Sequence, residues 1–203
     1  QDHLNNLWVG TYNGLFVIHK DGKKVFHYVH DENDRTSLSQ NSIYTIYGDV
    51  KGDFWLGTYA GGVNYYDRSF DVFKSFTAGA NDSKLNYMVV SAIIEDPKHN
   101  LWIGTEGGGI NIYDNKTGHF KYLMHDLRDP HSLSSNNVKA MIRSTEGDYW
   151  IGTHDGGLNV LNTAKEPFKF KKFVNDPEDA ASLSNNRVIS LYEDARQDIW
   201  IGT

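Results

Sequence analysis

The sequence contains no cysteine, only four prolines and no long apolar run. Without cysteine there are no disulfides, no thiolate catalysis and no zinc–thiolate site, and the cytosol and an oxidising compartment fit equally well. Scarce proline beside 13% aromatic residues excludes a disordered tail. The longest apolar stretch, Tyr87 to Ile94, falls far short of the roughly 20 residues that span a bilayer, so no membrane contact by this segment is expected. A secretory leader pattern is also missing, and the chain begins mid-motif at Gln1-Asp2-His3, as a piece of a longer protein would. Positive charge is short. Lys and Arg number 20 against 26 Asp and Glu, for a net charge of −6, and the cations are scattered, never more than two in a row. A nucleic-acid partner needs a basic stripe and is excluded.

Catalytic motifs are absent as well. There is no GxSxG, P-loop or HExxH, so no catalytic residue, cofactor or metal site is assigned. His27, His30 and Asp31 resemble a metal cluster only on paper, because strand positions three apart point to opposite faces. Solvated edge histidines are expected there. Asp31-Glu32-Asn33-Asp34 lacks the glycine and distal glutamate of a calcium loop and reads as a solvated linker.

What the sequence does have is a repeat. Its five tryptophans stand at 8, 55, 102, 150 and 200, each opening W-[IVL]-G-T, with steps of 47, 47, 48 and 50. Leu38, Leu85, Leu133 and Leu183 each precede the next tryptophan by 17 residues. Length varies only between a tryptophan and the following leucine. One half of each unit is therefore a fixed frame, and the other carries loops.

Each unit reads as four short strands, A to D. In the best-defined copy these are Val90–Asp96, the segment LWIGT at 101–105, Gly109–Asp114 and His119–Leu123. Lys51-Gly52-Asp53, Gly61-Gly62 and Asn115-Lys116-Thr117-Gly118 supply turn chemistry. Four antiparallel strands per 40–50 residues with one tryptophan each is the signature of a β-propeller blade. The expected fold is an all-β partial propeller of four repeat units, one region over 1–203. Its blades run approximately over 37–84, 85–131 and 132–181, with partial blades at 1–36 and 182–203. Trp8, Trp55, Trp102, Trp150 and Trp200 are assigned as packing elements, with Trp55, Trp102 and Trp150 expected to be largely buried between blades. The Gly-Thr after each tryptophan is expected to let the sheet twist and turn.

The pattern through Val90, Ile93, Glu95, Asp96, Leu101, Trp102–Thr105, Gly108–Ile110, Asn111, Tyr113, Asp114 and Phe120 resembles the two-component regulator propeller repeat. The linkers Asp129-Pro130 with Ser132–Asn137, and Asp176-Pro177 with Ser182–Asn186, resemble that family too. The resemblance implies a periplasmic sensor region of a hybrid two-component histidine kinase from glycan-degrading bacteria. There, propellers precede a further β domain, a membrane helix and the kinase, so flanking blades and sensor domains would be partners. The first unit departs by one residue at Tyr12-Asn13-Gly14-Leu15, and the linker at Lys84-Leu85-Asn86 has neither Ser-Leu-Ser nor Asp-Pro.

Strand direction reverses at every turn, so the D–A linkers and B–C turns share one face. On it the units diverge at Tyr12 and Asn13, Tyr59, Glu106, His154 and Asp155, and Tyr87, Asn137 and Arg187 enter strand A there. Variable tips on a fixed frame are how a scaffold carries specificity. Aromatic faces and planar polar groups suit an oligosaccharide ligand. The alternative for the linker asparagines is that they only cap turns. For the whole chain the alternatives are a propeller enzyme, lyase or sialidase-like, or a structural interaction scaffold. The hairpin Ser144–Trp150 faintly resembles a sialidase Asp-box turn. Finally, the chain opens with strands B, C and D and closes with A and B, so unpaired edges and self-association of this piece are expected.

Overall fold

A computed structural model describes residues 1–162 and 168–203. Among them there are seventeen strands and no helix. Strands β1 (Leu7–Thr11), β2 (Gly14–Ile18) and β3 (Val25–Tyr28) form a three-stranded sheet. Three four-stranded sheets follow. They are β4 (Ile43–Gly48), β5 (Phe54–Thr58), β6 (Val63–Asp67) and β7 (Val72–Phe76); β8 (Val90–Glu95), β9 (Leu101–Thr105), β10 (Gly109–Tyr113) and β11 (Phe120–Leu123); and β12 (Val138–Arg143), β13 (Tyr149–Thr153), β14 (Leu158–Leu161) and β15 (Phe170–Phe173). Strands β16 (Ser190–Glu193) and β17 (Ile199–Gly202) pair alone. Neighbours in these sheets are consecutive, and pairs such as β5–β6, β10–β11 and β13–β14 are antiparallel, as propeller blades require. The chain divides into two compact units, 1–93 and 94–203.

The W-x-G-T motif does three separate jobs. Within each compact unit a tryptophan stacks on the residue that precedes the tryptophan of the next sheet. Trp8 lies on Phe54 with centroids 3.8 Å apart and planes 7° from parallel, and Trp102 lies on Tyr149 at 4.3 Å. The glycine admits the next strand A. A Cβ on Gly57 would stand 2.5 Å from Val90, and one on Gly152 2.6 Å from Val188. The threonine ties the B–C turn: Thr58 Oγ1 donates to the Gly62 carbonyl at 2.9 Å and accepts from the Gly61 amide at 2.8 Å. Thr105 and Thr153 repeat both bonds. Close approach and hydrogen bonding therefore favour Gly and Thr at these positions.

The A–B turns carry a device that the motif analysis passed over. Six residues before the tryptophan, an aspartate accepts backbone amides through one oxygen and the indole N–H through the other. Asp49 takes Lys51 N, Asp53 N and Trp55 Nε1 at 2.9–3.0 Å. Asp2, Asp96 and Asp194 do the same for Trp8, Trp102 and Trp200. Three residues after each aspartate the backbone enters the left-handed region, at Asn5, Gly52, His99 and Gln197 (φ 65–78°). In the fourth turn Ser144 replaces the aspartate and Gly147 takes the left-handed position. The hairpin singled out for its Asp-box look is thus the one whose lead residue is not aspartate.

Trp55 and Trp102 are buried as expected, but Trp150 is only half-buried. Two causes act together. Ser144 cannot reach its indole as an aspartate does, and the sheet facing it has two strands, with aliphatic Ile199 in place of Phe54 or Tyr149. Trp150 consequently borders an open groove of about 590 Å³ with Leu158, Phe173, Leu183 and Ile201.

Candidate functional site

Within each unit, one face is laced by bonds between B–C turns and D–A linkers. Gly14 N donates to Asn41 O, Gly62 N to Met88 O, Gly109 N to Asn136 O and Gly157 N to Asn186 O, at 2.8–3.0 Å. Tyr59 N and His154 N donate to Ser42 O and Asn137 O. The linkers are pinned from below. Asn64 and Asn159, fully buried on strand C, accept the amides of Ser39 and Ser134 and donate to their hydroxyls at 2.7–2.9 Å. Burying an amide costs free energy unless its bonds are made, and here they hold the loop in one place. The asparagine three residues after the linker leucine reaches back to the end of strand D: Asn41, Asn136 and Asn186 accept the amides of His30, His125 and Asn175. The His30 and His125 rings and the Asn175 amide all reach the carbonyl of the linker leucine. A carbonyl oxygen only accepts, so both imidazoles carry a proton on Nδ1. His27 lies against Phe16 and reaches the Asn13 carbonyl. Among the described residues no cluster of His, Asp and Glu is placed to hold a metal ion.

On this frame the first unit gathers Tyr12, Tyr44 and Tyr59. Tyr12 meets Tyr44 edge-on at 6.5 Å, and Tyr44 meets Tyr59 at 5.4 Å. Tyr12 is 83% exposed and Tyr59 50%, so ring faces stay open to solvent. In the second unit Glu106 and Asn137 form a β-bridge, and Glu106 pairs with Lys139 at 2.6 Å, both side chains partly buried. Asn13, His154, Asp155 and Arg187 point into solvent, and Tyr87 is exposed apart from the tyrosine cluster.

Tyr44 and Lys139 were not among the sequence-predicted residues. Both are the extra residue of a β-bulge. Ile43 pairs Thr58 and Thr45 pairs Gly57, with Tyr44 unmatched; Val138 pairs Thr153 and Ala140 pairs Gly152, with Lys139 unmatched. A bulge re-aims a side chain, here between the B–C tips of consecutive sheets. Period-two alternation gives no sign of it.

Four segments, 37–60, 84–107, 132–155 and 182–203, match the model of the two component regulator propeller. These are two-component regulator propeller repeats. Each propeller repeat runs from the linker leucine through strands A and B to the B–C tip, so the matched part contains the frame and the face. The extracellular domain described as that of the hybrid two component system BT4673 from B. thetaiotaomicron superposes with a TM-score of 0.78 at 27% identity, over 98% of this chain and 25% of its own. This chain thus spans about a quarter of that relative's length. The corresponding domain of BT3049 from the same organism gives 0.69 at 22%, over 99% and 31%. An inactive virginiamycin B lyase from Staphylococcus aureus gives 0.67 at 15%, over 98% and 60%; the likeness to these last two is one of fold alone. No curated protein sequence matches the chain. Among the described residues no helix is long and apolar enough to cross a membrane.

Proposed function

We propose that this chain is a ligand-sensing part of the extracytoplasmic region of a two-component receptor, and that its ligand is an oligosaccharide released by polysaccharide breakdown. The observation that carries the reading is the cluster of Tyr12, Tyr44 and Tyr59 on the linker face. Uncharged rings with open faces suit the C–H face of a pyranose, and their hydroxyls donate and accept at its edge. The Glu106–Lys139 pair offers a fixed acceptor beside a fixed donor for sugar hydroxyls. In the intact receptor, flanking blades and sensor domains would pass occupancy to a membrane segment and a histidine kinase, which places this region in the periplasm. On this reading the region binds and does not turn over its ligand.

Calorimetry against a panel of oligosaccharides tests this. Wild-type chain is expected to bind a member of the panel, and Tyr12→Ala with Tyr59→Ala to lose at least tenfold in affinity with an unchanged circular dichroism spectrum. Binding that survives the double variant removes the tyrosine site, and new reducing ends formed without added enzyme replace sensing with catalysis.

A further inference from the structure

The linker face differs in charge between the two compact units. In the first, the B–C tips at 11–14 and 58–62 and the linker stretches at 38–44 and 85–89 contain no Asp, Glu, Lys, Arg or His. In the second, the matching segments carry Glu106, Lys139, His154, Asp155 and Arg187. The uncharged face is closely built around the second sheet. Tyr59 N donates to Ser42 O at 3.0 Å, and Ser42 N donates to Gln40 Oε1 at 2.6 Å. Gln40 packs against the same tip, since a Cβ on Gly61 would stand 2.7 Å from the Gln40 Cβ. With its oxygen spent on Ser42, Gln40 keeps its NH2 as a donor at the tip that carries Tyr59, whose ring meets Tyr44. These residues belong to β4–β5 and the linker that feeds them, well inside the chain. Every polar group that they offer is neutral.

Building on the sensing reading above, on which this rests, we infer that the saccharide taken by the tyrosine cluster is uncharged, and that uronate and sulfated sugars are turned away. A carboxylate or sulfate gives up its hydration at a high cost unless a cation or several N–H donors take the place of water. One amide and two tyrosine hydroxyls do not. The ring faces oppose an anion as well, because the face is the negative side of an aromatic quadrupole. The net charge of −6 adds a repulsive field. A neutral pyranose meets none of these costs. Its C–H face lies on a ring, and its hydroxyls exchange bonds with water for bonds with the Gln40 amide and the tyrosine hydroxyls.

Calorimetry with matched pairs tests this. Each neutral tetrasaccharide of a panel, derived from xylan, mannan, cellulose and galactan, is paired with its monosulfated or C6-oxidised counterpart. Wild-type chain is expected to bind a neutral member with an affinity that moves less than about twofold between low and high salt. It should bind the acidic counterpart at least about tenfold more weakly. Tyr59→Ala should weaken the neutral member, which locates binding at the cluster. Ala60→Lys sets an ammonium on the exposed tip next to Tyr59. It should tighten the acidic counterpart by about fivefold or more and leave the neutral member within about twofold. Circular dichroism checks that both variants are folded. An acidic counterpart bound through Tyr59 as tightly as the neutral one, or no gain for it in Ala60→Lys, overturns this inference and leaves the sensing reading standing. Binding of neither class overturns the sensing reading and this inference with it.

Discussion

One carboxylate per turn serves both backbone and indole, and its absence at Ser144 offers a test in both directions. Asp49→Ala leaves the Trp55 indole N–H and two turn amides without their acceptor. Chemical denaturation should show a loss of about 1–3 kcal/mol. Ser144→Asp should add about 0.5–1.5 kcal/mol by giving Trp150 the acceptor that its counterparts have; no gain would mean that the half-buried indole is already satisfied by water. These turns also set an acid limit. Burial works against the Asp2 carboxylate, but bonds from Trp8, Asn6 and Leu4 outweigh it and hold its pKa below the usual value. At Asp194 the Trp200 indole is the leading cause of the same downward shift. A folded pKa below the unfolded value of about 3.9 gives stability that is present above that value and lost as pH falls through the folded one. Tryptophan fluorescence should therefore hold steady down to about pH 4 and change below it. A transition centred near neutral pH would assign the loss to histidines instead.

Between elements, the decisive contacts are the glycine that admits strand A and the asparagine that holds the linker. Gly152→Ala sets a Cβ 2.6 Å from the Val188 side chain and 2.8 Å from its carbonyl oxygen. Overpacking of this kind costs about 1–3 kcal/mol, and thermal unfolding should show it. Asn159→Leu keeps the volume but strands the Ser134 amide and hydroxyl. Faster hydrogen exchange at Ser134 is the expected signature, with little change at the Ser39 amide, which Asn64 holds in the other unit. Equal change at both sites would show global destabilisation and no local clamp. Strand D illustrates how a register misleads when taken from composition. Phe26 looks like the counterpart of Phe73, Phe120 and Phe170, yet it pairs with Val17, and Val25 holds the equivalent place. The Phe26 ring therefore lies on the opposite side of its sheet.

At the scale of the whole molecule, the prediction that separates frame from face is the contrast between Trp102→Ala and Trp200→Ala. The first should cost about 3–5 kcal/mol, because it removes a buried stack on Tyr149. The second should cost no more than about 1 kcal/mol, since Trp200 is exposed and gives up chiefly its indole bond to Asp194. Similar losses in both would mean that Trp200 is covered in solution. The fold was legible because a repeat multiplies weak signals. Five phased tryptophans, glycine-bearing turns and the 17-residue spacing from leucine each recur, and a short strand that is ambiguous once becomes clear in the fourth copy. The shared face of linkers and B–C turns followed from strand reversal alone. The site was legible only at its tips. Tyr12, Tyr59 and Glu106 stand at variable turn positions and could be named, whereas Tyr44 and Lys139 sit on bulges, which alter pairing without altering composition. The sequence by itself thus determined the blade, its packing tryptophans and the side on which loops gather, because those depend on local periodicity and turn chemistry. Only tertiary structure decided which side chains meet there, and why Trp150 is less covered than Trp102, because both depend on what the neighbouring sheet presents.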